Sequence, residues 1–318
     1  MNEPNTALNP NAANTQRPSD FFSEDELAYL REINPWRGIW SVMHCWGVIA
    51  ATWVGVALWT NPLTILLGVM IVGTRQLGLF VITHDASHGA LFRNRKLNDW
   101  VSEWLLNRPL TDEHIETYRR YHLQHHAHTQ QPEDPDLPLS SAFPTSRQSL
   151  HRKIFRDLTG QTGLNQYGRI FKSAFKGNTL AERLQRGWAR LGPNILINMG
   201  IFAGFAAAGV WYLYFLLWWL PALTWNRLVV RLRNIGEHAV VPDNNDRLRN
   251  TRTTKANWLE RAFIAPYNVH YHLEHHLVVN CPQYKLPEAH RMMLEKGHGP
   301  RMEIQPGYQA VLAKAAPV

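Results

Sequence analysis

The chain has 318 residues, enough for one large domain or two small ones, and a formal net charge of +8. Only two cysteines occur, Cys45 and Cys281, which excludes a disulfide framework and a cysteine-based zinc site and fits a reducing compartment. The basic residues flank apolar runs rather than forming an aromatic-interleaved patch, so the charge points to anionic lipid head groups and not to nucleic acid.

Mean hydropathy is -0.30 although 45% of residues are hydrophobic. The two values reconcile because long apolar runs alternate with very polar stretches. Residues 1–20 read as a disordered tail, rich through residue 18 in Asn, Ala, Pro and Thr. No charged segment followed by an apolar one occurs there, so no cleavable signal peptide is expected. Residues 21–318 read as a single domain. A short helix is expected from Ser23, which has capping-box spacing with Glu26, while Phe22 and Leu27 sit where a hydrophobic staple would. It ends before Pro35 and either lies on a membrane surface or packs against the protein.

From Trp36 to Trp59 no charge follows Arg37, and the run is long enough to cross a bilayer core of about 30 Å. Trp36, Trp40 and Trp59 lie near its ends, where aromatic belts form. Thr60-Asn61-Pro62 is a tight turn, and a second apolar run from Leu63 to Ile82 leads directly to His84. Arg75 interrupts that run; a charge at membrane depth is costly, so Arg75 is expected to face the protein interior.

Three histidine clusters organise what remains. His84-Asp-Ala-Ser-His88 has i, i+4 spacing, and Tyr121-His-Leu-Gln-His-His126 returns almost unchanged as Tyr271-His-Leu-Glu-His-His276. Each of the last two puts histidines at i, i+3 and i+4, on one helix face, so that His122, His125 and His126 can point at one place, as can His272, His275 and His276. Neutral imidazole is the commonest metal ligand, and eight of them at ligand spacing make a metal site the first hypothesis.

The second cluster is placed on a helix beginning near Thr111 and broken by residues 130–136, Gln-Gln-Pro-Glu-Asp-Pro-Asp. The stretch 147–190 is strongly basic, with Asp157 and Glu182 its only acids, and is cytoplasmic by the positive-inside rule. Residues 194–230 are apolar again, either as one long tilted helix or as a hairpin turning near Ala208 to Trp211. Parity decides: a single crossing would strand the last histidines on the opposite side from the first two clusters. The expected fold is therefore an all-α integral membrane protein with four transmembrane helices in two hairpins, about 36–83 and 194–231. A cytoplasmic helical cap of 84–193 and 232–318 carries the histidine-rich site. His290 and His298 in the tail read as ordinary surface residues, and His114, His128 and His270 fall outside the ligand spacing. Asp85 and Glu274 are expected beside the site, accepting the distal N–H of a ligand imidazole.

The boxes HDASH (84–88), HLQHH (122–126) and HLEHH (272–276) resemble those of the membrane fatty acid desaturase superfamily, and the likeness in order, spacing and hydropathy covers about residues 36–290. The resemblance implies a di-metal site of two iron ions and dioxygen as co-substrate. Its ligands would be His84, His88, His122, His125, His126, His272, His275 and His276. It implies a ninth ligand after the second hairpin as well: Asn234-x-x-x-His238 matches the family's pattern, with His238 on the metal and Asn234 holding a metal-bound water. Without that role, His238 would simply close a helix, with Glu237 as its solvent-facing neighbour. The three-residue gap in the first box is similar to bacterial and plant acyl-lipid desaturases and to carotenoid ketolases, rather than to animal acyl-CoA enzymes. The activity so implied is desaturation of an acyl chain, presented as acyl-lipid or acyl-thioester in the lipid bilayer, with a bacterial inner membrane expected and both termini and the site cytoplasmic. The alternative is a ketolase or hydroxylase of a carotenoid or other lipid. No His-Pro-Gly-Gly haem motif occurs, so electrons come from a separate donor such as a ferredoxin, for which the basic face is a docking surface. A zinc hydrolase needs only three protein ligands, and a transporter would place its ligands within the membrane.

Overall fold

The computed structural model describes residues 16–317, so the expected tail lies outside the described residues as far as residue 15. From Gln16 onward the tail expectation is corrected. The Gln16 side-chain carbonyl accepts the Arg247 backbone N–H at 2.9 Å, and Phe21 and Phe22 are buried. Helix α1 (Glu24–Arg31) starts at the Ser23–Glu26 capping box. Leu27 and Leu30 pack with Leu273, Leu277 and Met293, which makes α1 part of the cap.

Helices α2 (Pro35–Leu58) and α3 (Pro62–Ser87) form the first hairpin. Asn61 makes the turn, its side chain accepting from the backbone of Leu63 and Thr64. Both helices are long and apolar enough to cross a membrane, and among the described residues only these two are. Arg75 is buried, donates to the Ala262 carbonyl at 3.2 Å and lies over the Tyr267 ring, facing the interior as its cost in lipid requires.

The cap begins with α4 (Arg95–Val101), which runs on through a π-helical turn at Ser102–Asn107. Next come α5 (Ile115–Ala127), α6 (Leu137–Ser140), α7 (Arg147–Leu158) and α8 (Gln161–Ala174). Helix α9 (Leu180–Ala207) starts in the polar region and continues into the second apolar stretch. The chain reverses at 208–210, where Gly209 adopts a φ of 73°. It returns as α10 (Trp211–Tyr214), a π-helical turn at Phe215–Trp219 and α11 (Leu220–Leu223). The second apolar stretch is thus a hairpin with a turn where the sequence places it.

Its limbs are short. The apolar part of α9, residues 194–207, is about 21 Å long at 1.5 Å per residue, less than a hydrocarbon core of about 30 Å. The return limb breaks at Thr224, and α12 (Trp225–His238) belongs to the cap rather than extending the hairpin to residue 231. The reason is charge: Arg231 pairs with Asp157 of α7 at 2.8 Å, and Arg227 bonds Gln166 of α8. The two hairpins share one core. Trp218 stacks on Trp46 and meets Trp53 edge-on, Trp53 donates to the Leu217 carbonyl, and Gln76 donates to the Trp218 carbonyl.

Helices α13 (Trp258–Phe263), α14 (His272–Leu277), α15 (Leu286–Glu295) and α16 (Tyr308–Ala315) complete the cap. The fold is mostly helical but not all-α. Strands β1 (Thr253–Thr254) and β2 (Ile304–Gln305) pair in parallel and tie the C-terminal segment to the loop before the third histidine box.

Four crossings would put both interhelical turns on one side of the membrane and the cap on the other. Since Cys45 and Cys281 are buried, single cysteines can be read against a quiet background. Asn61→Cys and Ala208→Cys are expected to label from one side only, and Asn165→Cys and Arg249→Cys from the other. Labelling of position 208 together with 165 would mean that the second hairpin enters the membrane without crossing it.

Candidate metal centre

The first two histidines come from the end of α3. Its last turn carries His84, and His88 closes it. The Gly89 N–H bonds the Ala86 carbonyl and the Ala90 N–H bonds the Asp85 carbonyl, with Gly89 at a φ of 71° that side-chain-bearing residues adopt poorly. This closure turns the chain away and leaves both rings facing the cap. On α5, His122, His125 and His126 are buried along one face, continuing the buried Ile115 and Tyr118, and Tyr118 stacks on His122. Helix α14 buries His272, His275 and His276, and α12 delivers His238 as its last residue.

All nine histidines come together, in two groups. His84, His88, His122, His126 and His275 form one; His125, His238, His272 and His276 form the other. Within each group the candidate ligand nitrogens lie within 4.8 Å of one another. The expectation that each triple serves one place is therefore corrected. In the first triple the i and i+4 rings enter the five-ring group and the i+3 ring enters the four-ring group. The second triple does the opposite. Helix geometry explains this, because i+3 and i+4 lie about 100° apart around the axis, on either side of i.

The ring nitrogens converge. His126 Nε2 is 3.0 Å from both His122 Nε2 and His275 Nε2, and His272 Nε2 is 2.8 Å from His238 Nε2 and 3.1 Å from His276 Nε2. Both ring nitrogens of His88, Nε2 of His84 and Nδ1 of His238 are buried without a hydrogen-bond partner. Burial, and then neighbouring charges, push His88 down to about 3 and hold His122, His126, His238, His272, His275 and His276 well below the ordinary histidine range. These rings are neutral at neutral pH, with lone pairs for a cation. A metal fits this donor set.

A polar shell orients the rings. Asp134 Oδ1 lies 2.7 Å from His125 Nδ1, and Asp134 is itself fixed by the backbone N–H of Gln130 and of Asp136. Thr129 Oγ1 is 3.1 Å from His276 Nδ1. Glu237 Oε1 is 3.5 Å from His272 Nδ1 and accepts from Arg233 Nε at 2.6 Å. Burial pushes the Glu237 carboxyl up to about 8, against the lowering pull of Arg233.

Sequence spacing misplaced several neighbours. Asp85 accepts the backbone N–H of Gln283, and Glu274 bonds Thr253 and His290, so neither meets a ligand imidazole. His290 is buried against Glu274 rather than on the surface, because the cap folds α15 over the third box. His298 is half-buried, edge-on to Phe21. Glu237 is buried, not solvent-facing. Asp134 lay hidden in a segment read only as a helix breaker; the signal available was a carboxylate directly after a box helix. Asn234 lines the cavity shared by His122, His125, His238 and His272. Outside both groups, His114 bonds Arg108, His128 is exposed at the end of α5, and buried His270 lies against Tyr271 with the rings tilted by 38°.

Comparison with known proteins agrees with this geometry. Residues 60–306 match the family described as fatty acid desaturase. The chain is 29% identical over 308 residues to dihydrorhizobitoxine desaturase of Bradyrhizobium elkanii, which covers 91% of this chain and 81% of that protein. It is 33% identical over 106 residues to zeaxanthin 4-ketolase of Chlamydomonas reinhardtii, covering 31% of this chain and 22% of that protein.

Removing a carboxylate that orients a ligand imidazole weakens metal affinity by about 10–100-fold. Asp134→Asn is expected to fall in that range in a chelator-competition titration, and unchanged affinity would free His125 from Asp134. A second expectation concerns the metal-free protein. His88 titrates below its ordinary value near 6.5 when folded, so under that pH the unfolded chain takes up protons that the folded chain refuses. Stability is complete above about 6.5 and falls as pH drops toward 3, by up to about 1.4 kcal/mol per pH unit for each such ring. Thermal unfolding at about pH 7.5 and about pH 5.5 reads this directly; equal midpoints would mean that the rings are not buried neutral.

Proposed function

The chain belongs to the fatty acid desaturase family and is an oxidoreductase, and on that footing we propose that it is an oxygen-dependent desaturase whose nine histidines hold two iron ions. The observation that carries this reading is the division of nine clustered imidazoles into groups of five and four. Bound iron would supply the oxidant, made from dioxygen, that an unactivated carbon–hydrogen bond requires. The overall balance takes two hydrogens from neighbouring substrate carbons, with one dioxygen, two electrons and two protons, and leaves a double bond and two waters.

The protein's own part is positioning. Asp134, Thr129 and Glu237 fix the orientation of His125, His276 and His272. His238 is read as a ligand because it closes α12 inside the four-ring group, and Asn234, one helical turn earlier on the same cavity wall, as the holder of a metal-bound water. The substrate carried over from the resemblance is an acyl chain, as acyl-lipid or acyl-thioester. The electron donor is a separate protein such as a ferredoxin. We place the chain in a bacterial inner membrane, crossing it four times, with cap and termini cytoplasmic. The relative that matches most of the chain is named for dihydrorhizobitoxine rather than for a fatty acid, so reaction type transfers more safely than substrate. A ketolase or hydroxylase outcome is the second reading, favoured by the partial match to a ketolase.

His238 separates the nine-ligand reading from eight. His238→Gln is expected to lower iron content and abolish oxygen-dependent double-bond formation, measured by product analysis, while the protein still inserts in the membrane. His270→Gln is expected to keep its iron. Normal iron and near wild-type turnover in His238→Gln would return His238 to a structural role.

A further inference from the structure

A cavity of about 180 Å³ opens directly against His122, His125, His238 and His272. At about 30 Å³ for each water-sized group, it holds on the order of six, well under the 300–1,000 Å³ typical of larger ligand sites. Phe80, Tyr118, Leu139 and Val230 give it apolar walls, which suit a few methylenes. One wall is different. Arg233 lines the cavity with its side chain only 10% exposed. Its Nε donates to Glu237 at 2.6 Å, and among the described residues nothing accepts a hydrogen bond from its two terminal nitrogens. These nitrogens are reachable from the cavity, and holding guanidinium donors in so small a space without a protein partner is costly. A carboxylate resolves the cost, since it takes two parallel N–H bonds from one guanidinium.

A long acyl chain has another place to lie. A groove of about 750 Å³ between α8, α9 and the return limb is lined by apolar residues such as Ile170, Phe171, Ile195 and Phe202. It contains no histidine and shares no lining residue with the cavity at the metal centre. The guanidinium lies over the Phe80 ring, 6.0 Å from its centroid, a contact that leaves the terminal N–H groups without an acceptor.

We infer that the substrate segment reaching the metal centre is a short chain carrying a carboxylate, held by the terminal nitrogens of Arg233. The reaction assigned to that substrate rests on the desaturase reading above; the substrate class rests on the cavity and replaces the acyl-lipid or acyl-thioester that the resemblance implies.

Binding of hexanoate, methyl hexanoate and palmitate to the iron-loaded, detergent-solubilised protein tests this, read as ligand-induced thermal stabilisation. Hexanoate is expected to bind, with methyl hexanoate and palmitate weaker by about tenfold or more, as the loss of a charge-assisted pair or of the fit implies. Arg233→Gln is expected to lose hexanoate binding by a similar factor. Equal binding of acid and ester, preference for palmitate, or undiminished binding by Arg233→Gln with its iron intact would overturn the inference. Should Arg233→Gln lose its iron, Val230→Trp decides, because it fills the cavity without touching the charge: lost hexanoate binding supports the inference and retained binding overturns it. Hexanoate binding without oxygen uptake on any chain would leave the inference standing and defeat the desaturase reading. Oxygen-dependent desaturation of a long-chain lipid, with no hexanoate binding, would do the reverse.

Discussion

The arrangement depends on buried lone pairs that the protein cannot satisfy by itself. Nine imidazoles are taken out of water and turned so that nitrogen faces nitrogen at about hydrogen-bond distance, while both nitrogens of His88 meet no donor at all. Protonating the rings would place several charges in one interior, which burial forbids. A cation in each group satisfies the lone pairs without adding a proton. A bound metal would offset the cost of assembling the rings, and its binding would then be part of the folding free energy.

The remaining elements answer the demand for rigid convergence. Helix α3 ends in a glycine closure that stops the helix at the first box, and the packing of Trp46, Trp53 and Trp218 locks the hairpins that carry it. The paired sequence motifs behave as two halves of one device. Each contributes two rings to one group and one to the other, in opposite senses, so neither group can form from a single helix. The 100° offset between i+3 and i+4 turns one helical face into a link between two sites. Outside the rings, Asp134, Thr129 and Glu237 set ring orientation, and Glu274 with His290 and Thr253 anchors the helix that bears the last box.

What the sequence made legible was governed by local periodicity. The box histidines, the turn at Asn61, the capping box at Ser23 and the reversal near Ala208 are encoded within a few residues of where they act. What stayed hidden depends on long-range packing. Asp134 looked like part of a helix breaker until the turn after α5 folded its carboxylate back onto His125. Asp85 and Glu274 sit between ligands in the chain but point a third of a turn away, toward Gln283 and His290. His290 is buried only because α15 covers the third box. Parity calls for a second hairpin running to residue 231, yet its return limb breaks at Thr224, and Arg227 and Arg231 bond the cap helices. Charge, not apolar length, sets that boundary.

The central claim is that two irons sit in two separate imidazole groups. Anomalous scattering at the iron edge from crystals of iron-replete protein tests it most directly. The account predicts two peaks, one enclosed by His84, His88, His122, His126 and His275 and one by His125, His238, His272 and His276. A single peak, or two peaks that leave either group of rings empty, would contradict it.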